Sequence, residues 1–191
     1  MIWWAIGANN VAKPRPLPKL GAHAGVWTNA VEVISTRLRD LLDLSPCLQD
    51  ASRVEQLHDM RIAARRLRYS LEMFVDVVPT HLECIVTGAL SACKELQELL
   101  GAIHDADVLM PQLVEQLHRE SEPALGNDQN AAPFGVHFIN WDACTGLIST
   151  CKDIMLERDN AFESASEMWR QHAESGVFAA LTEAVGDGKS A

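Results

Sequence analysis

The 191-residue sequence lacks the marks of several protein classes. No stretch approaches about eighteen uncharged apolar residues, so no membrane-spanning helix is expected. Met1 to Asn10 is apolar, but it has no basic flank and is too short for a secretory leader. Convincing β alternation is missing, which excludes a sheet-based fold. No glycine-rich phosphate loop and no Gly-x-Ser-x-Gly elbow occurs, so the usual frames for phosphoryl or acyl transfer are absent. Cysteine is sparse and odd in number, at positions 47, 84, 93, 144 and 151, with no Cys-x-x-Cys. A disulfide framework or zinc knuckle is therefore not expected. Reduced, mostly buried thiols in a cytoplasm fit better.

What remains suits one globular domain. Hydrophobic residues make up 48% of the chain, enough for a substantial core. The formal net charge is −10, which argues against a general nucleic-acid binder. The charge is uneven, however. Arg53 to Arg68 holds five arginines against Glu55 and Asp59, a local balance of +3. A basic site on an acidic protein points to a specific anionic ligand.

Residues 1–25 contain three of the eight prolines and are expected to form an extended arm. A helical domain is expected over 26–185, and a flexible tail over 186–191. The periodicity predicts helices over Val26–Leu44, about Ala51–Val78, and about His81–Leu100, the last stopped by Gly101. A fourth helix is expected from near Asp105 to Glu120, with a possible kink at Pro111. Its buried face would be Leu109, Met110, Leu113, Val114 and Leu117. Ser121 to Gly135 reads as a long loop, Trp141–Glu174 as a helix and Gly176–Val185 as a short last helix. The fold class is all-α, an antiparallel helical bundle. Trp141 and Trp169 are expected in the core, while Trp3 and Trp4 belong to the arm.

The most informative segment runs from His58 to Tyr69. On a wheel of about 100° per residue, His58, Arg61, Arg65 and Arg68 share a sector of about 80°. Met60, Ala63, Ala64, Leu67, Leu71 and Phe74 form a separate core stripe. Arg66 lies apart and could reach another side of the same ligand. The cationic stripe is about 15 Å long. Crowded arginines repel unless anions lie between them, and guanidinium forks match phosphate oxygens. His58 could add a hydrogen bond, or a charge that appears as pH falls. The alternative is a solvated face, although only Asp59 and Glu72 offer acids at helical spacing. Tyr69 stands nearby, but no row of aromatics is present for base stacking, so a nucleic-acid partner is not expected.

The pattern His58-x-x-Arg61-x-x-x-Arg65-Arg66-Leu67-Arg68-Tyr69 resembles the signature of CHAD domains, the conserved-histidine α-helical domains. Lys94-Glu95-Leu96-Gln97-Glu98-Leu99-Leu100-Gly101 followed by His104-Asp105-x-Asp107-Val108-Leu109 is similar to the family's second block. Arg158, Phe162 and Trp169 look like its closing helix. The resemblance covers roughly Val26 to Val185. It implies a non-enzymatic, cytoplasmic, all-α protein that binds inorganic polyphosphate, with polyphosphate granules as a place of action and no cofactor. The ligand residues it implies are His58, Arg61, Arg65, Arg66, Arg68 and Lys94. Asp105 matches a family acid and reads as a helix N-cap or an orienter of an arginine. Full-length members carry two such halves, and one signature is present here. The expectation is a homodimer that presents the stripe twice, or else a fragment.

Two rivals come from the residues themselves. Glu55-x-x-His58 and Glu115-x-x-His118 have di-iron bundle spacing, with Glu32 and Glu98 as further carboxylates. Against it, His58 shares its sector with arginines, and Glu115 points away from the expected buried face. A histidine phosphotransfer bundle would use His58 as acceptor, yet Asp59-Met60-Arg61 stands where such domains have Lys-Gly. Neither metal nor catalytic residues are expected. The histidines at 23, 81, 104, 118, 137 and 172 read as surface or capping residues.

Overall fold

The computed structural model describes residues 13–121 and 141–187. The described residues form an all-α bundle of five helices. They are α1 (Val26–Leu44), α2 (Val54–Phe74), α3 (Glu83–Ser121), α4 (Trp141–Ser175) and α5 (Val177–Asp187). Trp3, Trp4, most of the expected 121–135 loop, and tail residues 188–191 lie outside the described residues.

α1 ends where Ser45-Pro46 opens a 3-10 turn, Ser45–Gln49. Proline disfavours a helical residue before it and removes a donor, so the continuous helix stops here. The segment before α1, from Lys13 to Leu20, forms neither helix nor strand and is pinned to α1. Arg15 pairs with Asp40 at 3.2 Å and with Asp43, and Arg37 donates to the Arg15 carbonyl at 3.1 Å. Asn29 closes the arm by bonding both backbone groups of Gly21 at 3.0 Å.

α2 buries Met60, Ala63, Ala64, Leu67 and Leu71, the core stripe read from its period. These meet Val31, Ile34, Leu38 and Leu41 of α1, and Ala89, Cys93, Leu96, Leu100 and Ile103 of α3, in one core. Burial pushes the Cys47 thiol up to about 11 and the Cys93 thiol up to about 12, so both stay protonated at neutral pH.

The helix expected to end at Leu100 and the one expected to start near Asp105 are a single 39-residue α3, about 58 Å long. Gly101 does not stop it. A mid-helix glycine costs about 1 kcal/mol. Leu100 and Ile103, each 1% exposed, gain about 1.5–3 kcal/mol apiece from burial in the helical register. Tertiary packing therefore overrides the local stop. α3 also continues through Pro111, whose missing N–H gives up the rung to the Asp107 carbonyl.

The buried residues of α3 end at Ala106. Beyond it α3 runs past the start of α2, and among the described residues its main neighbour is α4. The expected buried face of this stretch is therefore corrected: Leu109 is 40% exposed and Val114 53%. Trp141 is corrected as well, since it opens α4 and is 70% exposed. Trp169 does pack on the core, stacked on Phe178 with ring centroids 5.0 Å apart. Gly176, at φ 74°, makes the reversal from α4 to α5. That left-handed conformation is the usual glycine closure of a helix. α5 then seals the core with Phe178, Leu181 and Val185.

Candidate functional site: a cationic strip between two helices

α2 and α3 run antiparallel, and two contacts fix their register. His58 Nδ1 lies 3.0 Å from His104 Nδ1. Arg61 Nε lies 3.8 Å from where a Cβ would stand on Gly101. Both pairs of residue numbers have the same sum, as an antiparallel ladder requires. The same register sets Arg65 opposite Gln97 and Arg68 opposite Lys94. Arg68 also acts electrostatically on Cys93, next to Lys94, in agreement with that placement. Positions 58, 61, 65 and 68 thus face 104, 101, 97 and 94, and each set repeats on one helical face.

The strip holds four of the expected residues on α2 and Lys94 on α3. Arg65 and Lys94 are exposed, while His58, Arg61 and Arg68 are half-buried. Gly101 lets the Arg61 stem lie against α3, where a larger side chain would fill the space. Arg68 reaches Glu72 at 3.4 Å and stacks over Tyr69 at 4.6 Å. Its Nε is buried with no acceptor among the described residues. That buried donor favours an anion over a cation at this end of the strip.

Arg66 is not brought into the strip. It lines a cavity of about 230 Å³ on the α1 side, with Lys13, Arg15, Asp40 and Asp43. There its charge is set among carboxylates, which separates it from the other arginines. Asp105 is also corrected. α3 begins at Glu83, so Asp105 lies within the helix and caps nothing. The nearby Asp107 has the architectural role instead. It accepts from Arg158 of α4 at 2.5 Å, and Arg158 also donates to the Ala51 carbonyl at 2.9 Å.

His104 was expected to be an ordinary surface or capping residue, and the structure makes it part of the strip. Its ring lies beside that of His58, with centroids 4.4 Å apart and planes tilted by 35°. Burial first, then His104 and the arginines Arg61 and Arg65, hold His58 below its usual pKa. The sequence signal was present: 94, 97, 101 and 104 repeat the 58, 61, 65, 68 spacing.

The di-iron set does not converge. Glu115 is exposed near the end of α3, 3.9 Å from Arg119, while His58 faces His104. Among the described residues no group of three or more His, Cys, Asp or Glu is placed to hold a metal. Nor is any described helix long and apolar enough to cross a membrane.

Fold and site together define an all-α bundle that presents cations along the seam of an antiparallel helix pair. The sequence model of the CHAD domain family matches residues 5–114, more than half of the chain, and the chain belongs to that family. The match takes in α1, α2 and most of α3, and with them the whole strip. No curated protein and no solved structure matches.

Gly101→Ala probes the seam gently. Its new methyl would meet Arg61 in ordinary van der Waals contact. Removing a mid-helix glycine should stabilise the fold by about 0.5–1 kcal/mol. Thermal unfolding should show a rise in Tm of roughly 1–4 °C. A fall in Tm would mean that the two helices approach too closely at this point for the methyl.

Proposed function

We propose that this chain is a non-catalytic module that binds inorganic polyphosphate along the α2–α3 strip, in the cytoplasm and at polyphosphate granules. The observation that carries the reading is the register: Arg61, Arg65, Arg68 and Lys94 fall along one seam on two facing helices. A chain of phosphates supplies anions at short, regular intervals and can meet all four cations at once. Forked guanidinium groups take two phosphate oxygens each. Membership of the CHAD family supports the same ligand. Among the described residues the strip carries no carboxylate pair of the kind that holds catalytic metal for phosphoanhydride hydrolysis. Two copies of the chain would double the number of cations available to one long polymer, and a homodimer belongs to this reading.

The test is titration of the full chain with long-chain polyphosphate at two salt concentrations, with duplex DNA as competitor. Tight binding that weakens steeply with salt, and that DNA does not displace, is expected. Sedimentation of the complex reads the stoichiometry. A folded protein that ignores polyphosphate at low salt sinks the proposal, and a tight one-to-one complex of monomer sinks the dimer.

A further inference from the structure

We propose that His58 and His104 act as a proton-uptake pair, so that polyphosphate binding on the strip draws proton from solution, at most one, onto the two imidazoles. The inference rests on the polyphosphate reading above and adds its regulation: affinity rises as pH falls through the histidine range.

The geometry sets how many protons the pair can take. With the two Nδ1 atoms 3.0 Å apart, one hydrogen lies between them. One ring donates through Nδ1–H and the other accepts. In the neutral pair, the donating ring keeps a free lone pair on Nε2. An added proton goes to that Nε2, and the ring becomes an imidazolium. Its Nδ1–H still donates, now as a charge-assisted bond. A second proton would have to enter the Nδ1–Nδ1 contact and would drive the rings apart. The pair therefore accepts one proton with its geometry intact.

The surroundings decide when this happens. On α2, Arg61 and Arg65 disfavour charge on His58, Asp59 favours it, and burial disfavours it. Glu55, one turn earlier on α2, is exposed. On α3, His104 is the facing group, and Asp107, one turn beyond it, is held by Arg158 of α4. The free site thus disfavours charge on the His58 ring. A phosphate chain laid along Arg61 and Arg65 reverses the sign of the local potential. The bound state then holds the proton at a pH where the free state does not. By linkage, a group whose pKa is raised on binding strengthens binding between its free and bound pKa values, most at the lower pH.

The experiment is a titration of the full chain with long-chain polyphosphate from pH 8 to pH 5.5 at fixed ionic strength. Long chains keep the titration of their end groups negligible. Wild type should bind about fivefold to tenfold more tightly at pH 5.5 than at pH 7.5. Calorimetry in two buffers of different ionisation heat should report fractional uptake, about half a proton per complex at its maximum. His58→Gln/His104→Gln should lose the pH slope, whatever its absolute affinity. His104→Gln alone should shift the midpoint of the slope. Circular dichroism at each pH checks that helix content is unchanged. Wild-type binding that is flat with pH overturns this inference and leaves the polyphosphate reading standing. A double variant that keeps the wild-type slope overturns it too, as does a His104→Gln midpoint identical to wild type. No binding at any pH overturns the function itself, and this inference with it.

Discussion

Arg61→Ala/Arg65→Ala is expected to bind long-chain polyphosphate about 30-fold or more weakly than wild type. Each guanidinium contact with a phosphate is a charge-assisted hydrogen bond, with a net contribution of about 1.5–3 kcal/mol. Exposure lowers that figure for Arg65, whereas Arg61 is half-buried against Gly101 and keeps more of it. Two such losses give about 2–3 kcal/mol. The salt slope should also become shallower, because two fewer cations are neutralised when the chain binds. Neither side chain lies in the core, so Tm should change by no more than a few degrees. Equilibrium titration of both proteins at matched salt provides the check. An affinity within threefold of wild type would move the binding surface away from α2.

Arg158→Ala is expected to produce the largest loss of stability. Arg158 and Asp107 are 14% and 16% exposed, and they join α4 to the middle of α3. The same guanidinium holds the Ala51 carbonyl in the turn before α2, so one side chain ties three segments together. Removing it leaves Asp107 partly buried and unpaired. Breaking a fully buried pair costs about 3–5 kcal/mol, and at this depth about 2–3 kcal/mol is expected. That corresponds to a fall in Tm of roughly 5–10 °C. Asp107→Ala made in the Arg158→Ala background should then cost little, because the partners are coupled. Thermal unfolding of the four proteins in the cycle measures it. Additive losses would show that the bridge contributes nothing beyond the packing of its two stems.

Much of this was legible in the sequence. The core stripe of α2 and the bounds of α1 follow from the 3.6-residue period and from Ser45-Pro46. The strip residues on α2 follow from the same arithmetic. The sequence misleads where local and tertiary forces compete. Gly101 is a sound local stop, yet the burial of Leu100 and Ile103 outweighs it. Trp141 and Val114 have core-type side chains, but Val114 falls beyond the last buried residue of α3 and Trp141 is the first residue of α4. Only the element lengths in three dimensions reveal that. His104 was hidden for a different reason. The matching 94, 97, 101, 104 spacing marks a face of α3, but only the register between the two helices shows that this face meets the arginines.

α3 has a further consequence for how the molecule comes apart. Its first half carries the buried residues and packs on α2, α4 and α5, while its last turns carry none and lack the rung at Pro111. Backbone amides from Leu96 to Ala106 therefore open only when the whole bundle does. Those beyond Pro111 open by local fraying at a small fraction of that free energy. One continuous helix thus spans two stabilities, with the boundary just past His104. The imidazoles and arginines sit on the slow side, so the far end can open and close many times while the strip keeps its shape.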